Sequence, residues 1–375
     1  MGRKKQKAGG ASGWSGGNRV TLTRIARELG VSAMTVSNAY NHPDRLSEAL
    51  RERIFETAEK LGYRGPDPVG RSLRRQRTDV VGVLYSNPLS YAFDDPAAVS
   101  FLGGLSSVTE EADLGLLLVP AAGGGASKER DPRAAAQAAV DGFVIYSMGD
   151  EEALLEAALG RQLPMVVVDQ PLKEGVPLVG VDDEAAARTA TEHLLHLGHE
   201  RFAIVSFALS PDGREGITHP DRQEQAAFRV SRMRLRGYRA RLEDAGLLWS
   251  EVPVYECPGS TKELGHRAAE ALLYSEQRPT AILALSDQLA LGAIEWMTEQ
   301  RISVPEDVSV VGFDNIPAAA SADPPLTTVH QDHTEKGLIA GRMLVSQLRK
   351  EDGPNTGPLA TSLVVRGSTA PPRGR

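Results

Sequence analysis

The 375 residues allow a small domain beside a large core-bearing one, and the net charge of −7 is unevenly spread. Up to Arg77 there are 16 Lys plus Arg against 7 Asp plus Glu, and beyond it 26 against 42, so only the N-terminal end suits a polyanion. One cysteine, Cys257, excludes an intrachain disulfide framework, no Cys/His metal spacing occurs, no apolar run reaches membrane-spanning length, and the basic start lacks a signal peptide's apolar core. A protein of the reducing cytoplasm, with no metal, no cofactor and no membrane partner, is expected.

Residues 1–19 are Gly/Ser-rich and basic, a flexible tail that cannot bury a core. Residues 20–65 read as a helix-turn-helix domain. Leu22, Ile25, Ala26 and Leu29 recur at helical spacing behind Thr21 as N-cap, and Gly30 stands where a left-handed C-terminal residue is wanted. Ser32 caps a second helix two residues later, a connection too tight for a side-by-side hairpin. That helix turns Val36, Ala39 and Tyr40 inward, so Met34, Asn38 and Asn41 face outward, flanked by Ala33, Thr35 and Ser37. Ala33, Met34 and Asn38 suit a major groove, where Asn can bond an adenine edge twice. Thr21, Thr35, Ser37 and Asn41 suit phosphates. A third helix from Ser47 buries Leu50, Ile54, Ala58 and Leu61 and stops at Gly62.

TLTRIARELGVSAMTVSNAYN followed by ETAEKLGY resembles the LacI/GalR (lactose-repressor/galactose-repressor) family of bacterial transcription regulators. The resemblance makes 66–78 a hinge that orders on operator DNA and enters its minor groove through Gly70, Arg71 and Leu73, with Leu73 as the apolar wedge that unstacks a base step. Two departures stand out. One extra residue separates Tyr63 from Leu73, and Gly70 replaces the usual Ala, which raises the cost of ordering the hinge.

From 79 onward apolar runs alternate with amphipathic stretches. Strands are expected at 80–84, 114–119, 142–146, 165–168, 202–206, 281–285 and 308–313. Helices are expected at 96–112, 151–159, 183–197, 234–245, 261–273, 287–299 and 334–349. Such alternation builds parallel sheets with helices on both faces and places a ligand at the strand C-terminal ends. VGVDDEAAARTATEHLLHLGHERFAIVS, PTAILALSDQLALGAIEWM and VPEDVSVVGFDNIP resemble the same family's effector domain. The implied architecture is an N-terminal all-α helix-turn-helix domain followed by an α/β two-lobed periplasmic-binding-protein-like domain at 79–375. Lobe one is about 79–182 and 331–350, lobe two about 183–330 and 358–370.

In the cleft the resemblance assigns effector binding to Arg234, Ser286, Asp314 and Asp169, a cationic fork with carboxylates and a hydroxyl suited to sugar hydroxyls. Each has a plain structural alternative: Asp287 as a helix cap beside Ser286, 314–315 as a turn, and Arg229, Arg232 or Arg236 in place of Arg234. Tyr91, Phe93 and Tyr146 suit either a sugar-stacking wall or core packing. His193, His196 and His199 do not share one helix face, and the adjacent Asp182 and Asp183 point apart, with Asp183 well placed as an N-cap. No nucleophile motif or phosphate loop follows a strand, so no enzyme is expected.

The function implied is a nucleoid-associated, sequence-specific regulator, a repressor with an activator as the rival. It binds a pseudo-palindromic double-stranded operator as a homodimer and responds to a small polar effector such as a sugar. A sugar-binding protein without a DNA role is the remaining alternative. The C-terminal stretch has no leucine heptads to build a tetramer.

Overall fold

A computed structural model of the chain describes residues 20–63, 65, 77–86, 88–120, 132–150, 152–274, 278–354 and 357–373. Gly70, Arg71 and Leu73 lie outside the described residues, as does the side chain of Tyr91. The chain divides into two compact units, Met1–Arg77 and Thr78–Arg375.

In the first unit α1 (Leu22–Leu29), α2 (Ala33–Asn41) and α3 (Glu48–Lys60) enclose Ile25, Ala26, Val36, Ala39, Ile54 and Ala58. Gly30 takes φ 67°, the left-handed geometry that lets α1 end and α2 begin at once. Tyr40 packs edge-on against Phe55 and Tyr63, with ring centroids 5.1 and 5.9 Å away. This aromatic corner ties the end of α2 to α3.

The second unit holds two sheets. The first is all parallel, in the order β2-β1-β3-β4-β5, with β1 Val80–Tyr85, β2 Gly115–Pro120, β3 Gly142–Tyr146, β4 Met165–Val168 and β5 Leu178–Val179. The second has the order β12-β11-β10-β9-β6-β8-β7. Its strands are β6 Phe202–Ser206, β7 Gly216–Thr218, β8 Val254–Glu256, β9 Ala281–Ala284, β10 Ser309–Asp314, β11 Thr327–His330 and β12 Ser362–Val364. Its two edge pairings, β11 with β12 and β7 with β8, are antiparallel.

Around lobe one lie α4 (Leu89–Asp94), α5 (Pro96–Glu111), α6 (Arg133–Gln137) and α7 (Ala153–Leu159). Lobe two carries α8 (Asp183–His196), α9 (Pro220–Glu224), α10 (Arg229–Asp244), α11 (Lys262–Leu273), α12 (Asp287–Glu299) and α13 (Pro317–Ser321). The chain enters lobe two after β5 and returns after β11, sending α14 (His333–Arg349) back onto lobe one. There Ile339, Ala340, Met343 and Leu344 join the core of Val81, Val83 and Phe101. The return is close-packed: a Cβ on Gly337 would stand 2.1 Å from the Phe101 carbonyl, and one on Gly104 2.1 Å from that of Thr334. Only glycines let α5 and α14 approach so nearly, and the approach sets the start of α14 beside the middle of α5.

Three details differ from the sequence reading. α10 begins at Arg229, five residues before the expected start, because Val230 and Ser231 already face the core behind an arginine-rich run that masks the periodicity. The strands β5, β7 and β8 are two or three residues long, too short for alternation to show. Asp182, not Asp183, caps α8, accepting from the Ala185 N–H at 3.0 Å. Among the three histidines, His193 bonds Thr369 Oγ1 at 3.0 Å, and His199 bonds the Ala370 carbonyl at 2.9 Å and Thr280 Oγ1 at 3.0 Å. Those two pin the C-terminal segment to lobe two, while His196 pairs with Glu192 at the surface.

Candidate functional sites

On the first unit the outward face of α2 is as the spacing requires: Met34 is 70% exposed, Ala33 is exposed, and Asn38 is half-buried with no hydrogen bond of its side chain among the described residues. Ser32 Oγ caps the helix, accepting from the Thr35 N–H at 3.0 Å, and lies 2.8 Å from Thr35 Oγ1. Asn41 Nδ2 donates to the Ser37 carbonyl at 2.9 Å and to Ser37 Oγ at 3.2 Å. Thr35, Ser37 and Asn41 are therefore oriented by neighbours on their own helix, whereas the exposed Thr21 makes no capping bond with its hydroxyl. Rigid short groups on one helix face, with Arg24 and Arg27 exposed on α1, form a surface suited to a duplex groove.

In the second unit a cleft of about 300 Å³ opens where the C-terminal ends of the parallel strands of both lobes meet. A larger depression of about 470 Å³ lies on the outer face of α10, but its Arg239 is already paired with Glu224 and Glu243, and no strand end reaches it. The cleft between the lobes is where the chemistry converges.

Lobe one contributes Asp169, held at φ 61° just past β4, and lobe two Asp314, held at φ 122° at the end of β10. Such left-handed backbone is strained for residues other than glycine, and here it turns both carboxylates into the cleft. Arg234, buried on α10, donates from Nε to Asp183 Oδ1 at 2.9 Å and from NH1 to the Leu285 carbonyl at 2.5 Å. Its guanidinium lies 3.6 Å from the Phe313 ring centroid and 3.9 Å from Asp314 Oδ1. Gly237 makes this possible: a Cβ there would meet the Glu184 carbonyl at 2.3 Å, so α10 lies directly on α8 and Arg234 reaches Asp183.

Ser286 lines the cleft and also caps α12, accepting from the Leu289 N–H at 3.3 Å, with Ser260 Oγ 2.6 Å away. The expected cap Asp287 points the other way. It is fully buried and accepts from the Ile316 N–H at 2.8 Å and from Thr328 Oγ1 at 2.5 Å. Burial, then the charge of Asp314, pushes the Asp287 carboxyl up to about 8, while His333 and Arg234 hold Asp314 below the usual carboxylate range against its own burial. His333 Nε2, at 3.6 Å, is just beyond hydrogen-bond distance of Asp314 Oδ1, so its pull is electrostatic.

The aromatic expectations divide. Tyr146 lines the cleft and is also core, stacked on Phe101 and Tyr85 with centroids 4.4 and 5.5 Å away. Phe93 does not line it: α4 turns Ala92 inward and leaves Phe93 62% exposed. Phe207 and Phe228 supply the aromatic wall instead. Phe207 follows β6 by one residue, a strand-end signal the sequence did carry, whereas the masked start of α10 hid Phe228. Also missed were Asp95, the N-cap of α5 accepting from the Ala97 N–H at 3.0 Å, Gln170, whose Oε1 accepts from the Val230 N–H at 2.8 Å across the lobes, and His333. Burial, then the Asp314 charge, pushes Asp95 up to about 6.

Residues 21–65 match the model for bacterial regulatory proteins of the lacI family, and 191–369 that for a periplasmic binding protein-like domain. An HTH-type transcriptional regulator of Mycolicibacterium smegmatis is 42% identical over 364 residues, covering 94% of this chain and 97% of its own. The chain belongs to the LacI family. It is a DNA-binding transcriptional regulator, not an enzyme. Another relative, the HTH-type transcriptional repressor CytR of Escherichia coli, is 29% identical over 93% of this chain and 96% of its own. Among solved structures, a LacI-family regulator from Corynebacterium glutamicum is 34% identical with TM-score 0.70, covering 93% of this chain and 98% of its own. The regulator CelR, in complex with cellobiose, is 28% identical with TM-score 0.65, covering 93% and 100%. Among the described residues no helix is long and apolar enough to cross a membrane.

Proposed function

We propose that this LacI-family regulator is a repressor that binds a pseudo-palindromic operator as a homodimer and is released by a small sugar-like effector held between the lobes. The carrying observation is convergence: Asp169 and Tyr146 from lobe one and Arg234, Ser286 and Asp314 from lobe two line one cleft, although they come from five different elements or their ends. A ligand contacting both walls binds one lobe arrangement better than another, and that difference is the only means by which it can alter DNA affinity. The cellobiose complex of CelR and the repressor name of CytR support the ligand class and the direction of control.

On the DNA, Ala33, Met34 and Asn38 read the major groove, and Thr21, Thr35, Ser37 and Asn41 hold phosphates. Gly70, Arg71 and Leu73 enter the minor groove at the operator centre. The test is fluorescence anisotropy at fixed salt on a palindromic duplex selected from random DNA, with and without a panel of sugars. Selective binding abolished by one sugar supports an inducible repressor. Binding that a sugar strengthens reverses the direction of control. Equally tight binding to every duplex removes the assignment of Asn38 as a base reader.

A further inference from the structure

Two permanent cations, Arg234 lining the cleft and Lys336 beneath it, are both committed inside the protein. Arg234 is bonded to Asp183 and to the Leu285 carbonyl. Lys336, fully buried on α14, donates from Nζ to Asp169 Oδ1 at 2.5 Å and to Gln331 Oε1 at 2.5 Å. Each cation is thereby matched by its own carboxylate. Two further carboxylates, Asp95 and Asp314, face the same space, and Arg234 and His333 are the only basic side chains lining it among the described residues. The cleft therefore carries an excess of negative charge, and a protonated His333 would not cancel it.

His333 adds a second, independent constraint. It is 9% exposed, lines the cleft, and neither ring nitrogen has a hydrogen-bond partner among the described residues. A ring nitrogen gives or takes a hydrogen bond according to where the ring protons sit, so a bound group that can do both satisfies it either way. A hydroxyl does both. A phosphate or carboxylate accepts only, and would bring its charge against Asp95 and Asp314 in a space shielded from water.

From this arrangement we infer that the cleft takes a hydroxyl-rich ligand without an anionic group, that it rejects the phosphorylated and carboxylated forms of the same skeleton, and that Asp95 and His333 are the residues that enforce the choice. This rests on the reading of the cleft as the effector site and narrows it. Ligand hydroxyls donate to the free lone pairs of Asp95 and Asp314 and exchange hydrogen bonds with His333, while Phe207 and Phe228 cover the carbon skeleton. Gln331 Nε2, donating to Asp314 Oδ1 at 2.6 Å, keeps that carboxylate turned toward the ligand.

The experiment is a thermal-shift screen of the full-length protein against neutral sugars and cyclic and open-chain polyols, each beside its monophosphate and its carboxylate, followed by calorimetry on the hits. The expected result is a stabilising neutral compound whose anionic counterparts bind at least about a hundredfold more weakly. Asp95→Asn, isosteric and still able to cap α5, should shrink that ratio to roughly tenfold or less, and His333→Phe should weaken the neutral ligand by about tenfold or more. Binding of an anionic form equal to or tighter than the neutral one overturns the inference while leaving the effector site standing. A normal hit whose selectivity Asp95→Asn leaves unchanged removes Asp95 from the role. No hit from either class, with the protein folded, removes the sugar-effector reading itself.

Discussion

Lys336 Nζ stands 2.5 Å from Asp169 Oδ1, a fully buried ammonium on the returning helix set against the carboxylate just beyond β4. From Lys336 the hydrogen bonds continue through Gln331 to Asp314, which lies near the Arg234 guanidinium that holds Asp183. One polar chain thus spans both lobes beneath the cleft. Buried charges are tolerated only when matched in this way, and a half-satisfied network is worse than none.

Removing one end of the pair should therefore cost more than removing both. Lys336→Met is expected to destabilise the second unit by about 3 kcal/mol, because Asp169 is left uncompensated. The double variant Lys336→Met/Asp169→Asn should recover more than half of that. Urea unfolding followed by tryptophan fluorescence suits the measurement, since Trp249 and Trp296 are buried in this unit. Equal losses in the single and double variants would show that the Lys336 stem, not its charge, matters.

Asp287 sets a pH dependence. Its carboxyl is pushed up to about 8 in the folded state and ionises near 3.8 when free, so the folded form holds a proton that the unfolded form has lost. Stability contributed by that proton is greatest at low pH, declines as pH rises from about 4 through about 8, and changes no further above that. Melting temperature should fall between pH 6 and pH 9, and Asp287→Asn should flatten the slope. A slope unchanged in the variant would assign the effect to other groups.

Gly237→Ala tests the approach of α10 to α8. The added methyl would lie 2.3 Å from the Glu184 carbonyl and 2.7 Å from Ala187 Cβ, both in a packed interface. A loss of about 1–3 kcal/mol is expected from forcing the helices apart. Because the same shift draws Arg234 from Asp183, any sugar found to bind should weaken as well. A destabilised protein with undiminished ligand affinity would place Arg234's contribution outside binding.

For the reading helix, Asn38→Ala should relax base preference at one operator position and cost about 1–3 kcal/mol on the specific site. Met34→Ala should act mainly through lost apolar contact and leave phosphate binding intact. Anisotropy on specific and random duplexes separates these effects. Equal loss on both would make Asn38 a backbone contact.

Much of this was legible along the chain. The first three helices were readable because apolar spacing, Ser32 and Gly30 are all local signals, and an isolated 44-residue stretch is short enough for them to decide the packing. The alternation of strands and helices likewise announced two parallel sheets. The short strands β7 and β8 were not legible, since three residues cannot display a period. Arg234 could be singled out only by the family resemblance. Its neighbours Arg229, Arg232 and Arg236 carry the same charge, and burial alone distinguishes it.

The sequence by itself determined the element types, the order of the units and the kind of chemistry each carries, because helix caps, glycine geometry and hydrophobic period act within a turn or two of chain. Only the tertiary structure decided which charges meet. Lys336 and Asp169 are 167 positions apart, and Asp287 and Thr328 41. No local pattern encodes such pairs: they follow from how closely α14 lies on α5 and how the start of α12 meets β11. The physical reason is that a buried charge has no preference of its own for a distant partner until packing has excluded water from both.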